Sequence, residues 1–339
     1  MPRKVRWGVL GVASIAVRRA VPGMQKGQWS EITAIASRDK NRAEEAARKL
    51  GIPKFFGSYA ELLADKEIDA IYNPLPHHLH VPWSIQAAEA GKHVLCEKPI
   101  STTVADAQEL LRVRDRTGVK IGEAFMVRTH PRWLRTRELI RSGRIGQLRL
   151  ISGLFSYFNR DLANIRNIQI FGGGALLDMG CYPVTLARFI FHEEPRRVLG
   201  MIEHDPETEV DRLTSAILDF PSGQSTFTCG TQIVHFQRMQ FLGTGGRIEI
   251  QFPINVPQVQ PSQILIDDGK AAPDSITTET FEYCDQFTVQ GDLFSKAILE
   301  NGEVPVPLED SIRNMAVIEA VFRSGKSGRW EQPADFLTS

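Results

Sequence analysis

The chain reads as an α/β protein in which a doubly wound parallel-sheet (Rossmann) domain is followed by an α+β domain with a largely antiparallel, open sheet. Three observations predict this. The 339 residues exceed what one hydrophobic core normally serves. From Val5 to about Glu123, apolar runs of strand length alternate with helical stretches, the rhythm of βαβ units. After about residue 145 the texture changes to successive strands joined by hairpin turns. The boundary is placed so that residues 1–124 form the first domain and 125–339 the second, with a C-terminal helix available to pack back on the first.

The strands of the first domain are expected at Val5–Leu10, Ile32–Ser37, Ala70–Asn73, His93–Cys96 and Lys120–Glu123. Their apolar runs suit strands buried on both faces. Helices are expected at Asn41–Leu50, Val81–Ala90 and Thr103–Arg116. In the second domain, strands are expected at Leu148–Ser156, Leu213–Asp219, Ser225–Gly230, Arg238–Leu242 and Arg247–Gln251, with turns at Pro221-Ser222-Gly223 and Gly243-Thr244-Gly245-Gly246. One helix should follow Gly172-Gly173-Gly174, and two more lie around Gln286–Leu299 and Asp310–Arg323.

Composition narrows the function. Forty basic residues balance forty acidic ones, so there is no electrostatic footprint for nucleic acid or an anionic membrane. No apolar run approaches the roughly 18 residues of a membrane span, and Met1-Pro2-Arg3-Lys4 leads directly into a strand, so a cytoplasmic protein is expected. The four cysteines, Cys96, Cys181, Cys229 and Cys284, are scattered without a CxxC and support neither a zinc site nor a disulfide framework.

Chemistry-bearing residues collect where open α/β sheets place their sites, at the C-terminal ends of strands. The first strand runs into Gly11-Val12-Ala13-Ser14-Ile15-Ala16, an imperfect dinucleotide fingerprint in which alanine replaces the second glycine. Gly11, Ala13, Ser14 and Ile15 are therefore expected to border a pyrophosphate at a helix N-terminus, the alternative being a tight turn that binds nothing. The second strand ends at Ser37-Arg38, where an NAD enzyme would carry a carboxylate for the ribose 2′-hydroxyl. Serine and guanidinium suit a 2′-phosphate, which points to NADP(H); the alternative is a solvated Arg38 with Asp39 supplying the acid.

At Asn73-Pro74-Leu75-Pro76-His77-His78-Leu79-His80, three histidines in four positions invite a metal reading, but no carboxylate or cysteine clusters with them. Pro74, Leu75, His78 and His80 fit cofactor edging better, and no metal is expected. The run Val94-Leu95-Cys96 ends in Glu97-Lys98-Pro99, where a partly desolvated lysine is available for proton transfer; an ordinary surface Lys beside a Glu is the alternative. Finally, Gly172–Pro183 places Asp178 and Tyr182 four residues apart on one helix face, with the small Gly180 leaving room for a ligand. A tyrosine hydroxyl there is suited to passing a proton to a carbonyl, while a core tyrosine is the alternative.

These motifs in this order resemble the Gfo/Idh/MocA oxidoreductase family over essentially the whole chain. Many members carry a histidine where this chain has Tyr182. The tyrosine instead resembles the branch with glucose-fructose oxidoreductase, dimeric dihydrodiol dehydrogenase, NADP-dependent D-xylose dehydrogenase and sugar 3-ketoreductases. The resemblance implies that Lys98 and Tyr182 serve the reacting oxygen and that Asp178 supports them or the substrate. It implies cofactor contacts at Glu97, Lys98 and Arg166, and a homodimer or homotetramer assembled through the open sheet. The expected activity is hydride transfer between NADP(H) and a pyranose sugar or related polyol or ketose. The alternatives are a dihydrodiol dehydrogenase-like enzyme, an aldose-aldose oxidoreductase with tightly bound NADP(H), and a non-catalytic cofactor-binding sensor.

Overall fold

A computed structural model describes residues 3–256, 261–270 and 275–337. In chain order the elements begin β1 (Val5–Leu10), α1 (Val21–Met24), β2 (Ser30–Ala36), α2 (Lys40–Leu50), β3 (Lys54–Phe56), α3 (Tyr59–Ala64), β4 (Ala70–Asn73), α4 (His80–Glu89), β5 (His93–Cys96), α5 (Val104–Thr117) and β6 (Ile121–Glu123). They continue with α6 (Pro131–Arg141), β7 (Leu148–Phe158), α7 (Cys181–Phe191), β8 (Arg197–His204), β9 (Asp211–Asp219), β10 (Gln224–Gly230), β11 (Gln232–Gly243) and β12 (Gly246–Gln251). The last are β13 (Ser262–Asp267), β14 (Ile276–Phe281), α8 (Gln286–Leu299) and α9 (Leu308–Ser327).

The chain divides into two compact units, Met1–Thr129 with Asp285–Ser311 and His130–Cys284 with Ile312–Ser339. The sequence reading placed a single cut between 124 and 125, whereas this division assigns α8 to the first unit. The reason is local: Phe294 of α8 packs on Trp7 of β1, whose indole N–H donates to Ser295 at 3.0 Å.

The first unit is built on a six-stranded sheet of order β3-β2-β1-β4-β5-β6, every pair parallel. The chain reverses direction across the sheet between β1 and β4, so a crevice is expected beyond their C-terminal ends. Helix ends follow the local chemistry. Asp39 caps α2, accepting from the N–H groups of Asn41 and Arg42, and Gly51 closes it in the left-handed conformation at φ 66°. Thr103 caps α5, so that helix begins one residue later than the sequence reading placed it. The sequence reading did not include β3 and α3, both short.

The second unit is built on an eight-stranded sheet of order β14-β13-β12-β11-β7-β10-β9-β8, antiparallel except where β10 runs parallel to β7. One face is apolar and covered, with Ile151, Phe227, Met239, Phe241, Ile248 and Ile250 all buried. The other face is more exposed, including Ile217 and Met201, the latter 73% exposed. β8, β13, β14 and α6 were not in the sequence reading. α6 starts with Pro131 at its first position and is capped by His130, whose ring accepts the Arg132 N–H at 3.1 Å.

By length and composition the stretch Gln169–Phe191 passes as a membrane-spanning candidate, in contrast to the expectation that no apolar run approaches that length. It is mostly buried, and α7 is the core helix of this unit.

Candidate functional site

In the first unit, the candidate residues sit on the turns that end β1, β2, β4 and β5. Gly11 adopts φ 85°, and its N–H donates to Ala36 O at 2.8 Å. A Cβ at Gly11 would lie 2.9 Å from Leu75 Cδ2, so glycine is required both by the backbone and by the approach of the β4 turn. Ala13 and Ile15 are half-buried, and Ser14 is exposed at the start of the following helical segment. That segment opens with a π turn, Ala16–Ala20, ahead of Pro22. Proline has no N–H and crowds the carbonyl four residues back, which widens the preceding turn.

At the end of β2, Ser37 is buried and Arg38 is exposed. Tyr59 of α3 lies in range of Arg38; burial raises its phenol pKa, and the charges of Arg38 and Arg42 offset part of that rise. Asp39 directs a carboxylate oxygen to the N–H groups of Asn41 and Arg42 at 3.0 and 3.3 Å.

The β4 and β5 turns are knitted together. Asn73 donates to His80 O and Ser84 Oγ, and accepts the Leu75 N–H. His80 is fully buried, with Nδ1 2.7 Å from Pro99 O and Nε2 2.7 Å from Leu75 O. Burial pushes its pKa down to about 4, against the two carbonyl acceptors, which only a ring carrying both protons would satisfy at both nitrogens. The ring has no exposed surface and both nitrogens lie on backbone oxygens, so it joins the two turns. Pro74 and Leu75 are buried in the same turn, and His78 is half-buried.

Glu97 is also buried, and its Oε1 accepts the Tyr72 hydroxyl at 2.6 Å. The carboxylate is thus engaged as a strut inside the sheet edge. Lys98 is half-buried on a backbone held from both sides: Glu97 N–H donates to Asn73 O, and Ile100 N–H to Glu123 Oε1. The Lys98–Pro99 peptide is cis.

In the second unit, the glycine run is explained by its own surroundings. A Cβ at Gly173 would lie 2.5 Å from Arg166 O, and one at Gly174, which has φ 113°, would lie 1.9 Å from Asp211 Oδ1. Gly180 is closely packed, since a Cβ there would lie 2.6 Å from Leu176 Cδ1 and 3.2 Å from Cys229 Sγ.

Residues Leu176–Gly180 form a π turn, with the Cys181 N–H bonded to Leu176 O, before α7 begins. The regular four-residue helical spacing expected for Asp178 and Tyr182 is therefore widened. Pro183, early in α7, is the cause, as Pro22 is in the first unit.

Asp178 is buried, and its Oδ2 accepts from Tyr157 Oη at 2.8 Å and from Arg166 Nε at 2.9 Å. Asp178 is the main influence raising the Arg166 pKa, and Tyr182 also lies within its electrostatic range. Burial first, then the Asp178 charge, pushes the Tyr157 phenol well above its usual range. Tyr182 is 4% exposed, its ring 6.0 Å from that of Phe155. Sequence reasoning missed Tyr157, Tyr72 and Asp211. Tyr157 lies in a predicted strand's extension, and its partner is set by tertiary contact.

A parallel sheet with a positive-φ glycine turn at its switch point, followed by a unit in which a buried carboxylate holds a half-buried guanidinium and phenol close to a buried tyrosine, fits a nicotinamide-type oxidoreductase. The chain belongs to the Gfo/Idh/MocA oxidoreductase family: residues 5–125 match its NAD-binding Rossmann fold and residues 133–249 its C-terminal domain. It is 44% identical to an uncharacterized oxidoreductase, ORF334, of Rhizobium meliloti, over 96% of this chain and 98% of that one. It is 36% identical to D-xylose 1-dehydrogenase (NADP(+)) 2 of Haloferax volcanii, over 95% and 98%. Among solved structures, a 3-ketoreductase from Actinomadura kijaniata in complex with NADP and TDP-benzene superimposes with a TM-score of 0.89 at 30% identity, covering 95% of this chain and 98% of that one.

Proposed function

We propose that this chain is an NADP(H)-dependent oxidoreductase acting on a pyranose sugar or a related polyol or ketose, as an aldose dehydrogenase or keto-sugar reductase. The observation that carries the cofactor choice is at the end of β2. Asp39 is taken up in capping α2, while Ser37 and the exposed Arg38 offer a hydroxyl and a guanidinium suited to a 2′-phosphate. The positive-φ turn at Gly11 and the exposed Ser14 fit a pyrophosphate at the helix start.

When bound, NADP(H) supplies or takes up the hydride. Tyr182 is assigned the proton, held at its hydroxyl, with the Lys98 ammonium as assistant. Asp178 anchors Arg166, so a fixed cation stands in electrostatic range of the phenol. Arg166 is then a tuning and substrate-side group as well as a nicotinamide neighbour. The kinship to an NADP(+)-dependent xylose dehydrogenase and to a sugar-nucleotide 3-ketoreductase supports the substrate class.

The same reading includes a homodimer or homotetramer built on the exposed face of the eight-stranded sheet, where Met201 and Ile217 stand in water in a single chain. A cytoplasmic location accompanies it, in keeping with four free cysteines.

The test is a panel of aldoses, 3-keto sugars and diols followed by the absorbance of reduced nicotinamide, with retained cofactor identified after denaturation. Turnover on sugars with NADP(H) is expected. Turnover on aromatic diols alone, on sugar pairs without added cofactor, or on nothing while cofactor binds, would select one of the three alternatives instead. Light scattering that gives a monomer at micromolar concentration would refute the assembly.

A further inference from the structure

We propose that Asp211, on β9, is a positioning residue whose carboxylate fixes the start of the helical segment carrying Asp178 and Tyr182. The inference rests on the reading of those two side chains as working groups.

Asp211 Oδ2 accepts the Leu176 N–H at 2.7 Å and the Thr214 hydroxyl at 2.9 Å. The first N–H groups of a helix have no partner within it, so this contact satisfies one of them from outside. The side chain is 3% exposed. The fit is close on the other side too, since Gly174 has no room for a Cβ against Oδ1, and the Asp178 N–H bonds to Gly174 O at 3.3 Å. One carboxylate therefore sets where the turn begins, and Asp178 and Tyr182 are placed four and eight residues beyond Gly174.

The titratable groups that face Asp211 are Cys229 on β10, which is itself in range of Asp178 and Cys181, and, opposite it in the ladder, His204 on β8. Burial pushes the Asp211 pKa up to about 7, outweighing its backbone and Thr214 hydrogen bonds. The ionised form thus costs stability. With the folded pKa raised from 3.8 to about 7, the stabilising contribution is complete below about pH 4 and is lost as pH rises through 7.

Asp211→Asn separates hold from fold. At pH 8 the melting temperature should equal or exceed that of the wild type, while amide exchange across residues 174–182 accelerates. With the sugar found by the panel, kcat should fall on the order of 10- to 100-fold, with KM for NADP(H) within about twofold. The wild-type kcat should decline below about pH 7, and the variant should lack that limb. Thr214→Val, which removes one hydrogen bond and leaves the carboxylate, should show a smaller loss in the same direction and serves if Asp211→Asn does not fold.

Wild-type exchange and kcat in Asp211→Asn would overturn the proposal. So would a kcat loss that follows a lowered melting temperature. If the wild type turns over no sugar, the functional reading fails, and the exchange and melting measurements still decide whether Asp211 holds the turn.

Discussion

Asp178→Asn tests the charged centre of the second unit. The carboxylate oxygen Oδ2 receives two hydrogen bonds, from Arg166 at 2.9 Å and Tyr157 at 2.8 Å. Each bond to a charged acceptor is worth about 1.5–3 kcal/mol, and a neutral amide oxygen keeps about half of that. The gross loss is then about 1.5–3 kcal/mol. The Arg166 side chain is 40% exposed and turns to water once released, which returns part of it. A net destabilisation of about 1–2 kcal/mol follows, or a melting temperature lower by about 2–8 °C.

The tyrosine titration supplies an independent reading. Without the Asp178 charge the Tyr157 phenol should move down in pKa, yet stay above its ordinary value of 10, because burial is the larger cause of its rise. Turnover should fall on the order of tenfold or more as Arg166 loses its anchor. Thermal denaturation, ultraviolet titration of the tyrosines and steady-state kinetics give the three numbers. An unchanged melting temperature together with an unchanged tyrosine titration would show that the network does not hold Asp178 as a charged acceptor.

Tyr182→Phe keeps the packing on Phe155 and should lower turnover about 10²- to 10⁴-fold with little change in melting temperature; near-normal turnover moves the proton to another group. Lys98→Ala should cost at least about 10²-fold in turnover with cofactor binding intact, whereas lost binding with full turnover at saturation makes it a binding residue. Arg38→Ala should weaken NADP(H) far more than NAD(H), by about 1.5–3 kcal/mol in isothermal titration, and equal losses remove the basis of the cofactor assignment. His80 has its pKa depressed from 6.5 to about 4, so its contribution is present above pH 6.5 and lost as pH falls toward 4. Each ring nitrogen faces a carbonyl oxygen at 2.7 Å, which a neutral ring satisfies at one nitrogen only, so the urea-stability profile decides the protonation state: a decline in that window that His80→Gln lacks is expected for the neutral ring, and parallel profiles would show a ring that keeps both protons.

What the sequence by itself determined is whatever short-range periodicity and turn chemistry encode. β1, β4, β5 and α8 were legible to the residue because continuous apolar runs or helical periodicity end there at strong local signals. The site motifs were legible for the same reason, since a glycine turn, Ser37-Arg38 and Glu97-Lys98-Pro99 are local statements about strand ends. Short β3 and the strands β8, β13 and β14 were not, because a few residues of mixed polarity become a strand only when a neighbouring strand takes their hydrogen bonds. Tertiary structure alone decided which side chains meet. His80 lies in a motif that reads as ligand edging, but Pro99 and Leu75 carbonyls occupy its ring. Gly180 reads as room for a ligand, but Cys229 fills that room. Asp211 and Tyr157 carry no local signal, and their roles exist only because β9 and β7 bring them to one helix start and one buried carboxylate. Burial and pairing are long-range properties, and a residue's chemistry follows them.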